Sequence, residues 1–256
     1  MIRLNGISKS FGKTQVLSDL DVFFEGGKIT AVLGPNGSGK TTLMKSILGM
    51  VIPEKGTIKV RGRNILRDCK YRSDIGYLPQ IARFPENLTV NELIAMISRI
   101  RGAEGKSEEF ISYFDLHDFL NTKMGHLSGG TRQKVNIVLA FMFDTPMLLL
   151  DEPTAGLDPL SLLRLKQLLE REKKNGKSIL ITSHIMSFVE EMADDVIFLM
   201  DGKVHFRGHP EEIKKQKQSD SLEKAIAHVL RDARITYSQN GKSDAALTES
   251  FQNIKS

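Results

Sequence analysis

Apolar positions in this chain recur with two different periods, and the switches between them mark out its elements. Ile2–Ser8, Gln15–Phe23 and Lys28–Leu33 are short runs rich in Val, Ile and Phe and broken by glycine, which predicts strands. Gly34 to Lys40 reads as a loop, and Thr41–Leu48 as a helix closed by Gly49. Strand patterns return at Thr57–Val60 and Ile75–Leu78. The middle turns helical. Thr89-Val90-Asn91-Glu92 is a capping box ahead of Leu93–Ile97, and further helices are predicted at Glu108–Phe114 and Arg132–Phe143.

Strand–helix alternation then resumes. Met147–Leu150 is a fully apolar run of the buried, parallel type. Asp158-Pro159 pairs an N-cap with proline at the first helical position, and that helix should end before Gly176. Ser178–Thr182 is another buried strand. Val196–Met200 and Lys203–Arg207 flank Asp201-Gly202, a strong hairpin signal. Leu222, Ala225, Ile226, Val229 and Leu230 form a last helical stripe, and from Asp232 the chain is polar, which predicts a disordered tail over 232–256. No internal repeat is visible, so the pattern describes one unit of α/β type.

Composition narrows the classes. At 256 residues and 40% hydrophobic content the chain can bury a sizeable core. Its net charge of +5 comes from scattered basic residues, which does not compel nucleic-acid binding and suits phosphates or an anionic surface equally. Cys69 is the only cysteine, so an internal disulfide is excluded and a reducing compartment is favoured. No stretch approaches the roughly 20 apolar residues of a membrane span. Met1–Gly6 lacks the apolar core and cleavage site of a signal peptide. A cytoplasmic protein is expected, reaching a membrane only through a partner.

Chemistry concentrates at three places. Gly34-Pro35-Asn36-Gly37-Ser38-Gly39-Lys40-Thr41, continued by Thr42, fits a phosphate-binding loop between a strand and a helix. Its glycines let backbone N–H groups wrap phosphates, Lys40 reaches the β/γ-phosphates, and the Thr41 hydroxyl can ligate Mg²⁺. Asp151 and Glu152 emerge at the C-terminal edge of a buried strand, where open α/β sheets bind ligands. Asp151 can hold Mg²⁺, and Glu152 is the natural base or orienting group for a water attacking the γ-phosphate. The bland alternative, an acid that merely caps a turn, fits poorly with two adjacent carboxylates on an apolar strand. Third, Leu127-Ser128-Gly129-Gly130 precedes Thr131-Arg132-Gln133-Lys134-Val135 and reads as a helix N-terminus with bare N–H groups, a second anion site.

The order of phosphate loop, Gln80, Leu-Ser-Gly-Gly, Asp-Glu, Asp158 and His184 closely resembles the ATP-binding subunits of ATP-binding-cassette transporters, from about Ile2 to Arg207. The resemblance implies a P-loop NTPase core with a parallel sheet, an N-terminal antiparallel β subdomain and an inserted helical subdomain at about 82–143, all within a nucleotide-binding domain of 1–231. On matching positions, Phe11 would stack on adenine in place of the usual tyrosine, and Gly34 to Thr42 would hold ATP. Gln80 would sense Mg²⁺ and the attacking water while touching the membrane subunit. His184 would contact the γ-phosphate. Ser128, Gly129 and Gly130 would meet ATP held by a second subunit, and Asp158 would communicate across that dimer. Taken singly, Gln80, His184 and Asp158 have ordinary structural readings as well: a polar residue in a proline turn, a histidine after a strand, an N-cap. Thr131 departs from the glutamine usual at that position.

The implied partners are integral membrane transporter subunits, contacted through Gln80 and the segment Pro85–Leu120, and a second cassette in an ATP-sandwich dimer. Phe84-Pro85 and Phe119-Leu120 could supply apolar contacts there or belong to the local core. The single cassette and the helix near Leu222–Leu230 look most like exporter-type systems. The segments Leu127–Val135 and Phe141–Asp144 look closer to the cassette subunit of the copper-processing system that matures nitrous-oxide reductase. His117, His126, His205, His209 and His228 are scattered and the ten methionines sit in apolar patterns, so any copper ligands are expected on partners and not on this chain. A soluble cassette ATPase acting on nucleic acid or ribosomes would be expected to carry a coiled-coil insertion or a second cassette. A small-molecule kinase would have no use for Leu127–Gly130, and a non-catalytic subunit would have lost Lys40, Glu152 or His184.

Overall fold

The fully apolar runs become neighbouring strands. A computed structural model of the chain describes residues 1–67 and 69–239. Its larger sheet contains β3 (Ile29–Leu33), β6 (Ile75–Leu78), β7 (Met147–Asp151), β8 (Ser178–Thr182), β9 (Asp195–Met200) and β10 (Lys203–Gly208), in the order β10-β9-β3-β8-β7-β6. All pairings are parallel except β10 with β9, the predicted hairpin. Asp201 and Gly202 both take positive φ there, as a two-residue turn matching strand twist requires.

Period-two geometry explains why these strands carry no polar face. Leu148 and Leu150 of β7 enter one apolar cluster with Ile179 and Ile181, while Met147 and Leu149 enter a second with Leu180 and Val32. The second cluster is covered by the other sheet, in which β1 (Ile2–Phe11) pairs antiparallel with β2 (Thr14–Phe24) and β4 (Lys55–Val60), and the short β5 (Arg63–Asn64) closes the edge. This is the antiparallel subdomain that the resemblance implies.

Helix α1 (Lys40–Ile47) follows the phosphate loop. Helices α2 (Val90–Arg101), α3 (Ser107–Tyr113) and α4 (Gly129–Phe141) lie between β6 and β7, as expected of an inserted helical segment. The Thr89 capping box forms as its spacing predicts, with Glu92 N–H donating to Thr89 Oγ1 at 3.2 Å and Thr89 N–H to Glu92 Oε2 at 2.8 Å. Phe84 and Leu120 pack against the larger cluster, whereas Phe119 stays 38% exposed. A polar seam joins this region to α5 (Pro159–Lys174): Tyr113 donates to the carbonyl of Arg164, and Arg171 pairs with Glu109 at 2.9 Å.

Two short helices escape the sequence pattern. Helix α6 (Met186–Met192) has no side-chain cap, and α7 (Pro210–Gln216) is capped by His209, whose Nδ1 accepts from the Glu211 N–H at 3.2 Å, ahead of Pro210 at its first position. Seven residues make only about two turns, so their periodicity is weak, although it sufficed for α3. Helix α8 (Leu222–Gln239) runs past Asp232, where polarity predicts the tail; the remainder of that tail, 240–256, lies outside the described residues. No helix among the described residues is long and apolar enough to cross a membrane.

Candidate functional site

Parallel topology puts the C-terminal ends of β3, β7 and β8 side by side, and the chemistry-bearing residues follow those ends directly. Gly34 leaves β3 at φ 154°, and a Cβ there would sit 2.0 Å from the carbonyl oxygen of Leu199, so only glycine lets the loop pass the sheet. The loop then folds on itself, with Ser38 N–H donating to the carbonyl of Pro35 at 3.2 Å. Lys40 opens α1 with its stem buried, and its Nζ donates to the carbonyls of Gly34 at 2.7 Å and Pro35 at 3.0 Å. Asn36 and Gly37 face solvent; Thr41 and Thr42 are half-buried on α1. Ser38 Oγ is buried without a hydrogen-bond partner, an unsatisfied hydroxyl inside a loop of backbone donors.

Across the sheet edge, Asp151 is 2% exposed and accepts a hydrogen bond from Thr182 Oγ1 at 2.5 Å. Burial pushes its carboxyl above the ordinary range, helped by the charge of Glu152, against hydrogen bonds from Thr182 and Thr41 and the charge of Lys40. Burial likewise lowers the Lys40 ammonium, while Glu152 and Asp151 oppose that shift. Tyr77, on the adjacent strand, is pushed up to about 12 by burial and by Asp151.

Glu152 sits at φ 52°, a left-handed conformation rare for a residue with a side chain and concentrated at functional sites. Its N–H donates to the carbonyl of Thr182 at 3.2 Å and to Thr182 Oγ1 at 3.1 Å, which holds the turn. Glu152 Oε2 accepts from the His184 backbone N–H at 3.2 Å. Oε1 lies 3.0 Å from His184 Nε2, within ion-pair reach when the imidazole is protonated but off the hydrogen-bonding direction, so this buried oxygen has no donor of its own. Lys40, Thr41, Asp151, Glu152 and His184 thus share one site. Thr182 belongs with them. Its place at the end of a buried strand two residues before His184 was the sequence signal for it.

Other residues stand apart. Gln80 is exposed just beyond β6, where the side-chain amide of Asn136 donates to the carbonyl of Pro79 at 3.2 Å. Among the described residues no hydrogen bond joins Gln80 to Thr41, Asp151 or Glu152. Phe11 is 52% exposed near the tip of the β1–β2 hairpin, with Lys9 Nζ 5.3 Å from its ring centre. Val16 and Leu17 of the same hairpin press on Gly39, which sets that tip beside the loop.

Ser128 caps α4, which starts at Gly129, three residues earlier than apolar periodicity suggests, because a cap and two glycines carry no apolar signal. Ser128 and Gly129 are exposed. A Cβ on Gly130 would lie 2.8 Å from the carbonyl oxygen of Gly156, so the helix end touches the turn before Asp158. Gln133 donates to the carbonyl of Pro153 at 3.1 Å, and Lys134 pairs with Asp158 at 3.1 Å. Asp158 caps α5, accepting from Ser161 N–H at 2.8 Å and Ser161 Oγ at 2.6 Å, and these bonds hold its carboxyl well below the usual range.

Residues 17–155 match the family model described as ABC transporter, more than half of the chain. The chain belongs to the ABC transporter ATP-binding proteins. Among relatives, the arginine transport ATP-binding protein ArtM of Bacillus subtilis is 30% identical over 240 residues, covering 88% of this chain and 100% of the relative. The Nod factor export ATP-binding protein I of Burkholderia lata is 32% identical over 219 residues, covering 82% and 71% respectively. A solved ATP-binding subunit of an ABC transporter superposes with TM-score 0.84 at 29% identity, over 90% of this chain and 99% of that one. The dimeric post-hydrolysis state of the cassette MJ0796 bound to ADP and Pi superposes with TM-score 0.73 at 26% identity, over 82% and 98%. The cassette described here is therefore an ATPase of this family with the family's α/β fold.

Proposed function

We propose that this cassette is the ATP-hydrolysing motor of an exporter-type transporter, working at the cytoplasmic face of a membrane as a head-to-tail dimer bound to separate membrane subunits. The observation that carries the reading is the convergence of Lys40, Thr41, Asp151, Glu152 and His184 on one sheet edge, with Ser128 and Gly129 exposed and Gly130 half-buried at the start of α4. In this reading the loop from Gly34 to Thr42 wraps the phosphates, and Lys40 leaves the loop carbonyls for the β/γ-phosphate oxygens. Phe11 covers the adenine.

The donor set suits a hard cation with few protein ligands: one hydroxyl, Thr41, beside one buried carboxylate, Asp151. Thr41 and Asp151 would hold Mg²⁺, which when bound neutralises charge on the transferring phosphoryl group. Gln80 would join them only by moving inward from its exposed turn. Glu152 takes the proton from the attacking water through Oε1, the oxygen with no donor of its own. His184 holds Glu152 from the backbone, with its ring Nε2 3.0 Å from Oε1, and in this reading the ring turns to the γ-phosphate. Ser128 and the first N–H groups of α4 close over ATP held by the other copy, and Asp158 lies beside that helix end through Lys134.

The resemblance of Leu127–Val135 and Phe141–Asp144 supports a finer reading, a copper-processing export system whose metal ligands lie on the membrane or extracytoplasmic partners. Purifying the full chain from its own membranes tests both levels. Co-purification with an integral membrane permease, and ATP hydrolysis that rises faster than linearly with protein concentration, is expected. Recovery with ribosomes or nucleic acid, or strictly linear hydrolysis with no ATP-dependent dimer, overturns the reading. A permease without copper-binding partners removes only the copper assignment.

A further inference from the structure

Only Ile185 separates α6 from His184, whose backbone N–H holds Glu152 Oε2 at 3.2 Å. That connection is tight, with the Ile185 N–H donating to Ser183 Oγ at 3.1 Å. At seven residues α6 is too short to hold its own place, so contacts with the rest of the chain set it. Phe188, Val189 and Met192 enter the larger apolar cluster with Leu222, Ala225 and Ile226 of α8. Such contact is non-directional and fixes the depth of a helix better than its rotation.

Directional contacts come from two adjacent carboxylates. Glu191 pairs with Lys166 of α5 at 2.5 Å, but its side chain is 55% exposed, and a pair that open contributes little. Glu190 is half-buried and forked. Its Oε1 takes the ammonium of Lys214 on α7, and its Oε2 accepts at 3.3 Å from the N–H of Leu222, the first residue of α8. The carboxylate there also meets the positive end of α8. One side chain thus ties three helices together.

We propose that Glu190 is a positioning residue for ATP hydrolysis, locking α6 to α7 and α8 so that the His184 N–H stays on Glu152 and keeps that carboxylate oriented. The inference rests on the reading of Glu152 as the base that meets the attacking water. From Glu190 back to Met186 is roughly 6 Å of helix, about one turn, so a shift at Glu190 is passed to His184 with little loss.

The test compares the full-length parent with Glu190→Gln, Lys214→Met and Lys214→Arg in steady-state ATP hydrolysis, with amide hydrogen exchange on the same samples. Glutamine keeps the shape of Glu190 but loses its charge, and methionine removes the ammonium it holds. kcat should fall about tenfold in Glu190→Gln and about threefold in Lys214→Met, part of the roughly 10²-fold that a misplacement of about 1 Å costs. Lys214→Arg, which keeps the ion pair, should stay within about twofold of the parent. KM for ATP should change by less than about twofold throughout. The His184 amide should exchange faster in the two impaired variants, while amides of β7 and α1 keep parental rates. Parental kcat or an unchanged His184 amide in Glu190→Gln overturns the role of Glu190, as does a Lys214→Arg variant that falls with Lys214→Met. Faster exchange across β7 and α1 with a raised KM also overturns it, since the carboxylate would then be supporting the whole fold. A Glu152→Gln control that turns over ATP at the parental rate instead brings down the reading of Glu152, and this inference with it.

Discussion

The phosphate loop and the α4 terminus of this chain are built on opposite physical terms. At the phosphate loop, Lys40, Asp151 and Glu152 are each less than 10% exposed, and burial shifts Lys40 and Asp151 toward their neutral forms. At the α4 terminus, Ser128, Gly129 and Asp158 face water, and the side chains of Ser128 and Asp158 are satisfied by local caps. The loop carries electrostatic tension that a polyphosphate and a cation would relieve. The other is relaxed and becomes desolvated only when a second surface covers it.

Four substitutions break or sharpen this contrast. The largest effect belongs to Glu152→Gln, which should lower ATP turnover by about 10²- to 10⁴-fold while leaving nucleotide binding intact. Phosphate release and nucleotide titration on the same sample check both arms, and turnover within a few-fold of the parent would remove Glu152 from the chemistry. Next is Gly130→Ala, whose new Cβ would lie 2.8 Å from the Gly156 carbonyl. It should cost about 1–3 kcal/mol in urea unfolding, because backbone has to give way.

Asp158→Ala should cost about 1 kcal/mol through the lost cap of α5. Its carboxyl is held low by Ser161 and then Lys134, so its contribution is present above the ordinary 3.8 and lost as pH falls below it. The stability gap between parent and variant should therefore close in acid. Asp151→Asn should act with the opposite sign. The folded carboxyl binds its proton more tightly than the ordinary 3.8, so the native state loses stability as pH rises above that value. The variant should melt higher than the parent at neutral pH without nucleotide, and the advantage should fade toward pH 4. A lower melting temperature would mean that the Thr182 hydrogen bond outweighs the burial of charge.

Much of this was legible in the chain because the strongest signals are local. The apolar run Met147–Leu150, the Asp201-Gly202 turn and the Thr89–Glu92 box each encode their own geometry within a few residues. Thr182 was missed because its role depends on β8 lying beside β7, a pairing between residues 31 apart. Helices α6 and α7 were missed because tertiary packing of Phe188, Val189 and Ile213 stabilises them more than any internal pattern does.

The sequence by itself determined the strands other than the two-residue β5, the phosphate loop, the acidic pair and the bare helix start at Ser128, since periodicity, glycine placement and capping are properties of short segments. Only the tertiary structure decided which of these meet. Parallel pairing of β3, β8 and β7 put Lys40, Asp151, Glu152 and His184 on one edge; Gln80 follows β6 on that same edge but is exposed, and Ser128 lies at the start of α4. Charges become costly, and therefore reactive, only where distant segments together exclude water, and no local pattern records that exclusion.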